Sequence, residues 1–206
     1  MAPGTKSSAP IFWMVAGPNG SGKSSLYSDV GAEAFDRSVW IINPDLLTER
    51  VRNVEAMSLR EANIAAVQRV EAWLEASIDA YQTIGVETVL STDKYRRLVL
   101  IAKQRQFEFR MTYIILQSPD LNVERVRLRV KKGGHDVDEA KVRERWAKSL
   151  SQLPWILDQA DWAAIYDNSG VRPLRVASKK GGTIFLDPAA PDAIRTAVDA
   201  AGQMPP

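Results

Sequence analysis

Apolar positions recur along this chain with two different periods. Ile11-Phe12-Trp13-Met14-Val15-Ala16, Val39-Trp40-Ile41-Ile42, Val86 to Leu90, Arg110 to Leu116 and Ala163 to Tyr166 are short and mostly apolar runs. Such runs, bounded by turn-forming or polar residues, predict strands buried on both faces. Between them the spacing turns helical, over roughly 22–34, 58–84, 94–104, 120–131 and 138–150. Within the longest stretch Val67, Val70, Leu74, Ile78 and Tyr81 fall three or four apart, on one helix face. Asn43-Pro44-Asp45 reads as the stop of the second strand, Gly85 as the end of the long helix, and 131–134 as a loop. Two strand-like pieces, about 173–178 and 183–186, and a helix after Pro188 complete the pattern. Residues 1–10, rich in Pro, Ser, Ala and Gly, predict a flexible tail. Strands alternating with helices imply an α/β domain over 11–206, with a central, mainly parallel sheet covered on both faces in three layers.

Composition narrows this only a little. The 206 residues suffice for one domain that buries about 70% of its unfolded surface. There is no cysteine, so disulfides, thiolate metal sites and cysteine nucleophiles are excluded. No apolar run is long enough for a leader or a membrane span, which fits a cytoplasmic protein. The net charge of +2 argues against a general nucleic-acid binder. That average hides one concentration: 125–148 carries nine Lys or Arg against four Asp or Glu, so +5 sits there and the rest nets −3.

The first strand runs straight into Gly17-Pro18-Asn19-Gly20-Ser21-Gly22-Lys23-Ser24, with Ser25 following. This is the G-x-x-x-x-G-K-[ST] pattern in the strand-to-helix context that gives it physical meaning. Its glycines let backbone N–H groups curl around an anion, and a helix starting near Lys23 adds its positive end. Lys23 brings a full charge to the phosphates, and the Ser24 hydroxyl is suited to Mg²⁺. The pattern predicts binding of a nucleoside triphosphate.

In such sheets ligands sit beyond the carboxyl ends of the strands, so polar residues there are the candidates. Asp45 follows strand two and reads equally as a general base for a substrate hydroxyl or as a helix N-cap. Glu87 interrupts an apolar strand, where a carboxylate is costly unless paired or metal-linked; the alternative is an edge strand facing water. Arg125 and Arg129 share a helix face beside the stripe of Val123, Val126 and Val130, next to Gly133-Gly134. They suit a basic lid, about 125–145, closing on phosphates, although a solvated basic face has the same pattern. His135, the only histidine, reads as a hydrogen-bonding lid residue. The six tryptophans (13, 40, 73, 146, 155, 162) sit mostly in apolar settings and read as core.

Together AGPNGSGKSSL at 16–26, NPD at 43–45, VETVLS at 86–91, RVRLRVKKGGHDVDEAKVRERW at 125–146 and AIYDNS at 164–169 resemble the zeta-toxin family of small kinases. Val89 and Asp138 depart from that pattern, standing where Thr and Pro are usual. The resemblance implies a three-layer P-loop kinase fold and an ATP- and Mg²⁺-dependent phosphotransferase. It makes Lys23 and Ser24 the phosphate and Mg²⁺ ligands and Asp45 the base, while Glu87 orients substrate or metal-bound water. Arg129 would reach the phosphates, Arg125 the phosphates or the adenine, and Asn168 the nucleotide base. The best-known family members phosphorylate the sugar of UDP-N-acetylglucosamine and are held in check by a small antitoxin, while related folds phosphorylate other hydroxyl compounds. The implied function is a small-molecule kinase acting on a hydroxyl of a nucleotide sugar. A polynucleotide 5′-hydroxyl kinase and a non-catalytic ATP-gated binding module are the alternatives.

Overall fold

The first strand is apolar at every position because it has a core on each side. In a computed structural model of the chain, which describes residues 9–29, 39–134 and 136–203, Phe12, Met14 and Ala16 face one apolar cluster. Ile11, Trp13 and Val15 face another. Residues 1–8 of the expected tail, the end of the first helix (30–34) and His135 lie outside the described residues.

In chain order the elements are β1 (Ile11–Ala16), α1 (Lys23–Asp29), β2 (Ile41–Ile42), α2 (Pro44–Val54), α3 (Leu59–Asp79), β3 (Ile84–Thr88), α4 (Arg96–Gln104), β4 (Glu108–Ile115), α5 (Pro119–Lys131), α6 (Glu139–Gln159), β5 (Trp162–Asp167), β6 (Leu174–Lys180), β7 (Thr183–Leu186) and α7 (Asp192–Ala201). The sheet runs β2-β3-β1-β4-β5-β6-β7; the first five strands are parallel and the last two antiparallel. The expected three-layer α/β architecture is present. Residues from α3, α4, α6 and α7 build the larger cluster, and Leu26 of α1 packs on the opposite face.

Three local expectations need correction. Asn43-Pro44-Asp45 starts a helix as well as ending a strand: the Asn43 side chain accepts from the amides of Asp45 and Leu46, and Pro44 occupies the first helical turn. The long helix begins at a Ser58–Glu61 capping box and ends at Asp79, earlier than 84. Its buried face is Ala62, Ala66, Val70, Leu74 and Ile78, leaving Val67 half-buried and Tyr81 beyond the helix. Gly85 does not terminate that helix; it lies inside β3, where an added Cβ would sit 2.4 Å from Ile41 Cδ1 and 2.8 Å from the Trp13 carbonyl oxygen. Two tryptophans also fall outside the core, since Trp40 and Trp73 are 63% and 43% exposed and rest against each other.

Candidate active site

The loop from Gly17 to Gly22 is set in shape by its neighbours. Gly22 has φ +92, and a Cβ there would lie 2.4 Å from Asn168 Nδ2, so only glycine fits. Asn168, just past β5, donates from Nδ2 to the Ser21 carbonyl at 2.8 Å. From the other side Asn122 of α5 donates to the Asn19 carbonyl at 2.7 Å, and Arg145 of α6 reaches Asn19 Oδ1 at 3.2 Å. Inside the curl, Lys23 Nζ donates to the carbonyls of Gly17 at 2.8 Å and Pro18 at 3.1 Å. Ser25 lines the mouth of the cavity.

Two carboxylates meet this loop. Glu87 is buried on β3, which lies between β2 and β1, so the edge-strand alternative does not apply. Its Oε2 accepts from Ser24 Oγ at 3.1 Å and from Asn43 Nδ2 at 2.9 Å, and Oε1 lies 3.9 Å from Lys23 Nζ. Burial pushes the Lys23 ammonium below its ordinary value of 10.5; Glu87 and Asp45 oppose the shift and Arg129 adds to it. Asp45 stands in the first turn of α2 with an exposed side chain. Because Asn43 is the N-cap, the capping role is already filled and the Asp45 carboxylate faces the cavities.

The basic segment lines one side of the site. α5 ends with Gly133 N–H bonded to the Val130 carbonyl and Gly134 N–H to the Arg129 carbonyl, the paired bonds of a Schellman motif. That turn leaves Arg125, Arg129 and Lys132 along the cleft. Arg125 Nη2 also donates to the Asn168 carbonyl at 2.6 Å, tying α5 to the β5 loop. Asp138 caps α6 by accepting from the Lys141 amide, an alternative start where the resembled family often has proline.

Two cavities result. One, of 470 Å³, lies over the loop and holds Lys23, Arg125 and Lys132. The second, of 430 Å³, opens between α2, α3 and the turn after α5. They share one wall: Ser24, Asp45, Glu87, Arg129 and Gly134. The donor set fits Mg²⁺, because the Ser24 hydroxyl and the Glu87 carboxylate are adjacent hard oxygens of the kind Mg²⁺ takes beside phosphate and water. Among the described residues no cluster of three or more His, Asp or Glu forms a self-sufficient metal cage.

Sequence reasoning brought Lys23, Ser24, Asp45, Glu87, Arg125 and Arg129 to one place. The resemblance put Asn168 in the loop near the nucleotide base; its side chain also holds the loop backbone, a contact that sequence reasoning did not give. Sequence reasoning assigned no role to Asn43, Asn122, Arg145 or Lys132. Asn43 had a readable signal, an N-cap residue directly before proline; Asn122 and Arg145 act across distances that no local pattern encodes. Among the described residues no helix is long and apolar enough to cross a membrane.

An AAA domain family (AAA_33) matches residues 12–153. An uncharacterized protein of Haemophilus influenzae is 28% identical over 138 residues, 66% of this chain and 91% of that protein. The AvrRxo1-ORF1:-ORF2 complex solved with ATP superposes with a TM-score of 0.69 at 15% identity, over 97% of this chain; the chain spans 66% of that one. The structure of the PezAT chromosomal toxin-antitoxin system of Streptococcus pneumoniae gives a TM-score of 0.62 at 14% identity, covering 98% of this chain and 90% of that one. At these identities the structural likeness speaks for the fold, and the family match covers well over half of the sequence. This chain belongs to the AAA domain family, and its fold is the one it shares with the AvrRxo1 and PezAT structures.

Proposed function

We propose that the chain is an ATP- and Mg²⁺-dependent kinase that transfers the γ-phosphoryl group to a hydroxyl of a small molecule. The observation that carries this is the shared wall: Ser24, Asp45, Glu87 and Arg129 stand between a cationic cavity over the phosphate loop and a second cavity. Nucleotide phosphates fit the first, against the loop amides, Lys23 and the arginines of α5. The acceptor hydroxyl fits the second, beside Asp45. Its oxygen forms the new bond to the γ-phosphorus while the bond from that phosphorus to the bridging oxygen breaks. The proton passes to the Asp45 carboxylate and ADP leaves with the electron pair. Arg125, Arg129 and Lys132 offset the charge spread over the transferring group. Mg²⁺, held by Ser24 with Glu87 behind it, would neutralise charge on the β- and γ-oxygens. A nucleotide sugar is the favoured acceptor by resemblance, and a small antitoxin protein a corresponding partner; growth arrest on expression, relieved by a co-expressed neighbour, would test the latter.

The test uses γ-labelled ATP with a panel of nucleotide sugars, nucleosides and RNA 5′ ends. Asp45→Asn is expected to bind ATP as wild type does and to lose roughly 10²- to 10⁴-fold in kcat. Wild-type transfer by this variant removes the base assignment. No labelled acceptor with the wild-type protein removes the kinase reading.

A further inference from the structure

We infer that Arg52 anchors an anionic group of the phosphoryl acceptor, so that the second cavity selects a small hydroxyl compound bearing a phosphate or carboxylate over its uncharged counterpart. This rests on the kinase reading above. Asp45, Thr48, Glu49 and Arg52 all line the second cavity from α2, at the spacing of one helix face. Arg52 lies seven positions beyond Asp45, about 10 Å along the axis. A hydroxyl at Asp45 and an anion at Arg52 are therefore the two ends of one molecule about the size of a sugar phosphate.

The charges favour this arrangement. Among the described residues that wall only the second cavity, Arg52 is the one cation. It is also available: Glu55, three residues on, is held by Arg69 in a two-pronged pair, Nη2 to Oε2 at 2.8 Å, and no described carboxylate pairs with Arg52. The nucleotide does not need it, because Lys23, Arg125 and Lys132 line the first cavity instead. Glu49 stands between the two ends and repels an anion placed mid-cavity, which pushes the charge outward to Arg52. The middle is suited to neutral polar groups. Thr48 Oγ1 donates to one of two flanking oxygens, the Pro44 carbonyl at 3.0 Å or Asn63 Oδ1 at 3.2 Å, and the Asn63 amide N–H groups remain as donors. Exposed Leu46 and Leu59 give the rim an apolar surface for a ring. A polynucleotide acceptor would call for a row of cations along its backbone, and among the described residues this cavity offers one beyond the shared wall.

The test compares acceptors that differ by one charged group: N-acetylglucosamine with its 1-phosphate, ribose with its 5-phosphate, and glycerol with glycerate, alongside a 5′-hydroxyl RNA oligonucleotide. Transfer from γ-labelled ATP is measured, and separately calorimetric binding in the presence of a non-hydrolysable ATP analogue. The proteins are wild type, Arg52→Gln, Arg52→Lys and Arg50→Gln, the last removing a charge from α2 outside both cavities. At least one phosphate or carboxylate member is expected to be preferred, and the preferred pair tells phosphate from carboxylate. Arg52→Gln should raise its KM and its Kd roughly tenfold, the worth of one charge-assisted hydrogen bond, with the loss in KM and not kcat. Arg52→Lys should recover part of it and Arg50→Gln should keep the preference. A wild type indifferent to acceptor charge in both assays, an Arg52→Gln protein that retains the preference, or a preference for the RNA that survives Arg52→Gln overturns the inference. Arg52-dependent binding without any transfer upholds the anchor and sinks the kinase reading instead.

Discussion

Glu87→Gln removes one negative charge from a buried cluster and keeps its volume. Lys23 Nζ lies 3.9 Å from Glu87 Oε1, with the two side chains 8% and 10% exposed. At an effective dielectric near 20 their attraction is about 4 kcal/mol. Desolvation of both groups offsets part of it, so a double-mutant cycle with Lys23→Met is expected to give a coupling of about 2 kcal/mol. Each single variant removes one member of the Lys23–Glu87 pair; the double variant removes both. Glu87→Gln alone should cost about 2–4 kcal/mol by urea denaturation at neutral pH. Lys23→Met should cost less, because Glu87 keeps its bonds from Ser24 and Asn43. The pH dependence has a definite sign. Burial holds the Lys23 pKa below 10.5, so between its folded value and 10.5 the unfolded chain binds more protons than the folded one. The Lys23 contribution to stability therefore climbs with pH across that interval and is flat below it. Without Glu87, which raises this pKa, the climb should begin at lower pH; in Lys23→Met the share due to Lys23 should be gone, leaving that of Lys94 and Lys179, which burial also holds below 10.5. Single-variant costs that add within about 0.5 kcal/mol in the double variant would refute the pairing.

Further outcomes follow from the same geometry. In buffer without Mg²⁺, Glu87→Gln should bind ATP more tightly than wild type, because a carboxylate beside the phosphates is gone, and it should lose the gain that Mg²⁺ brings; a fluorescent ATP analogue reads both. Gly85→Ala should destabilise the fold by about 1–3 kcal/mol through the clash with Ile41 and Trp13, a fall in Tm of roughly 2–4 °C per kcal/mol; an unchanged Tm would mean that β2 yields freely. Burial raises the pKa of Tyr95 and Tyr113 well above 10.0. The unfolded chain then loses these protons first, so stability falls as pH rises past 10, and their phenolate absorbance should appear only on unfolding.

The sheet was legible because its strands are buried on both faces and so read as apolar runs. The phosphate loop was legible because its chemistry is local: eight consecutive residues carry it. α2 was not, since Asn-Pro-Asp ends a strand and starts a helix with the same residues, and the stripe of Leu47, Val51 and Val54 that follows is only two turns long. Gly85 misled for a related reason, as glycine marks a helix end or a place where two elements nearly touch, and only the bulk of Trp13 and Ile41 shows which. Trp40 and Trp73 looked like core from their neighbours, yet they cover each other at the surface. The hold of Asn122, Arg145 and Asn168 on the loop was invisible, because each bond spans more than a hundred residues of sequence.

The grip of Lys23 on the Gly17 and Pro18 carbonyls changes how a knock-out at that position must be interpreted. The ammonium is an internal fastener as well as a phosphate ligand, so alanine there removes a charge and also unpins the bend it spans. An inactive Lys23→Ala protein would by itself say nothing about which loss mattered. Amide hydrogen exchange across Gly17 to Gly22 separates the two: fast exchange in the variant reports a slackened bend, and unaltered protection leaves the missing charge as the cause.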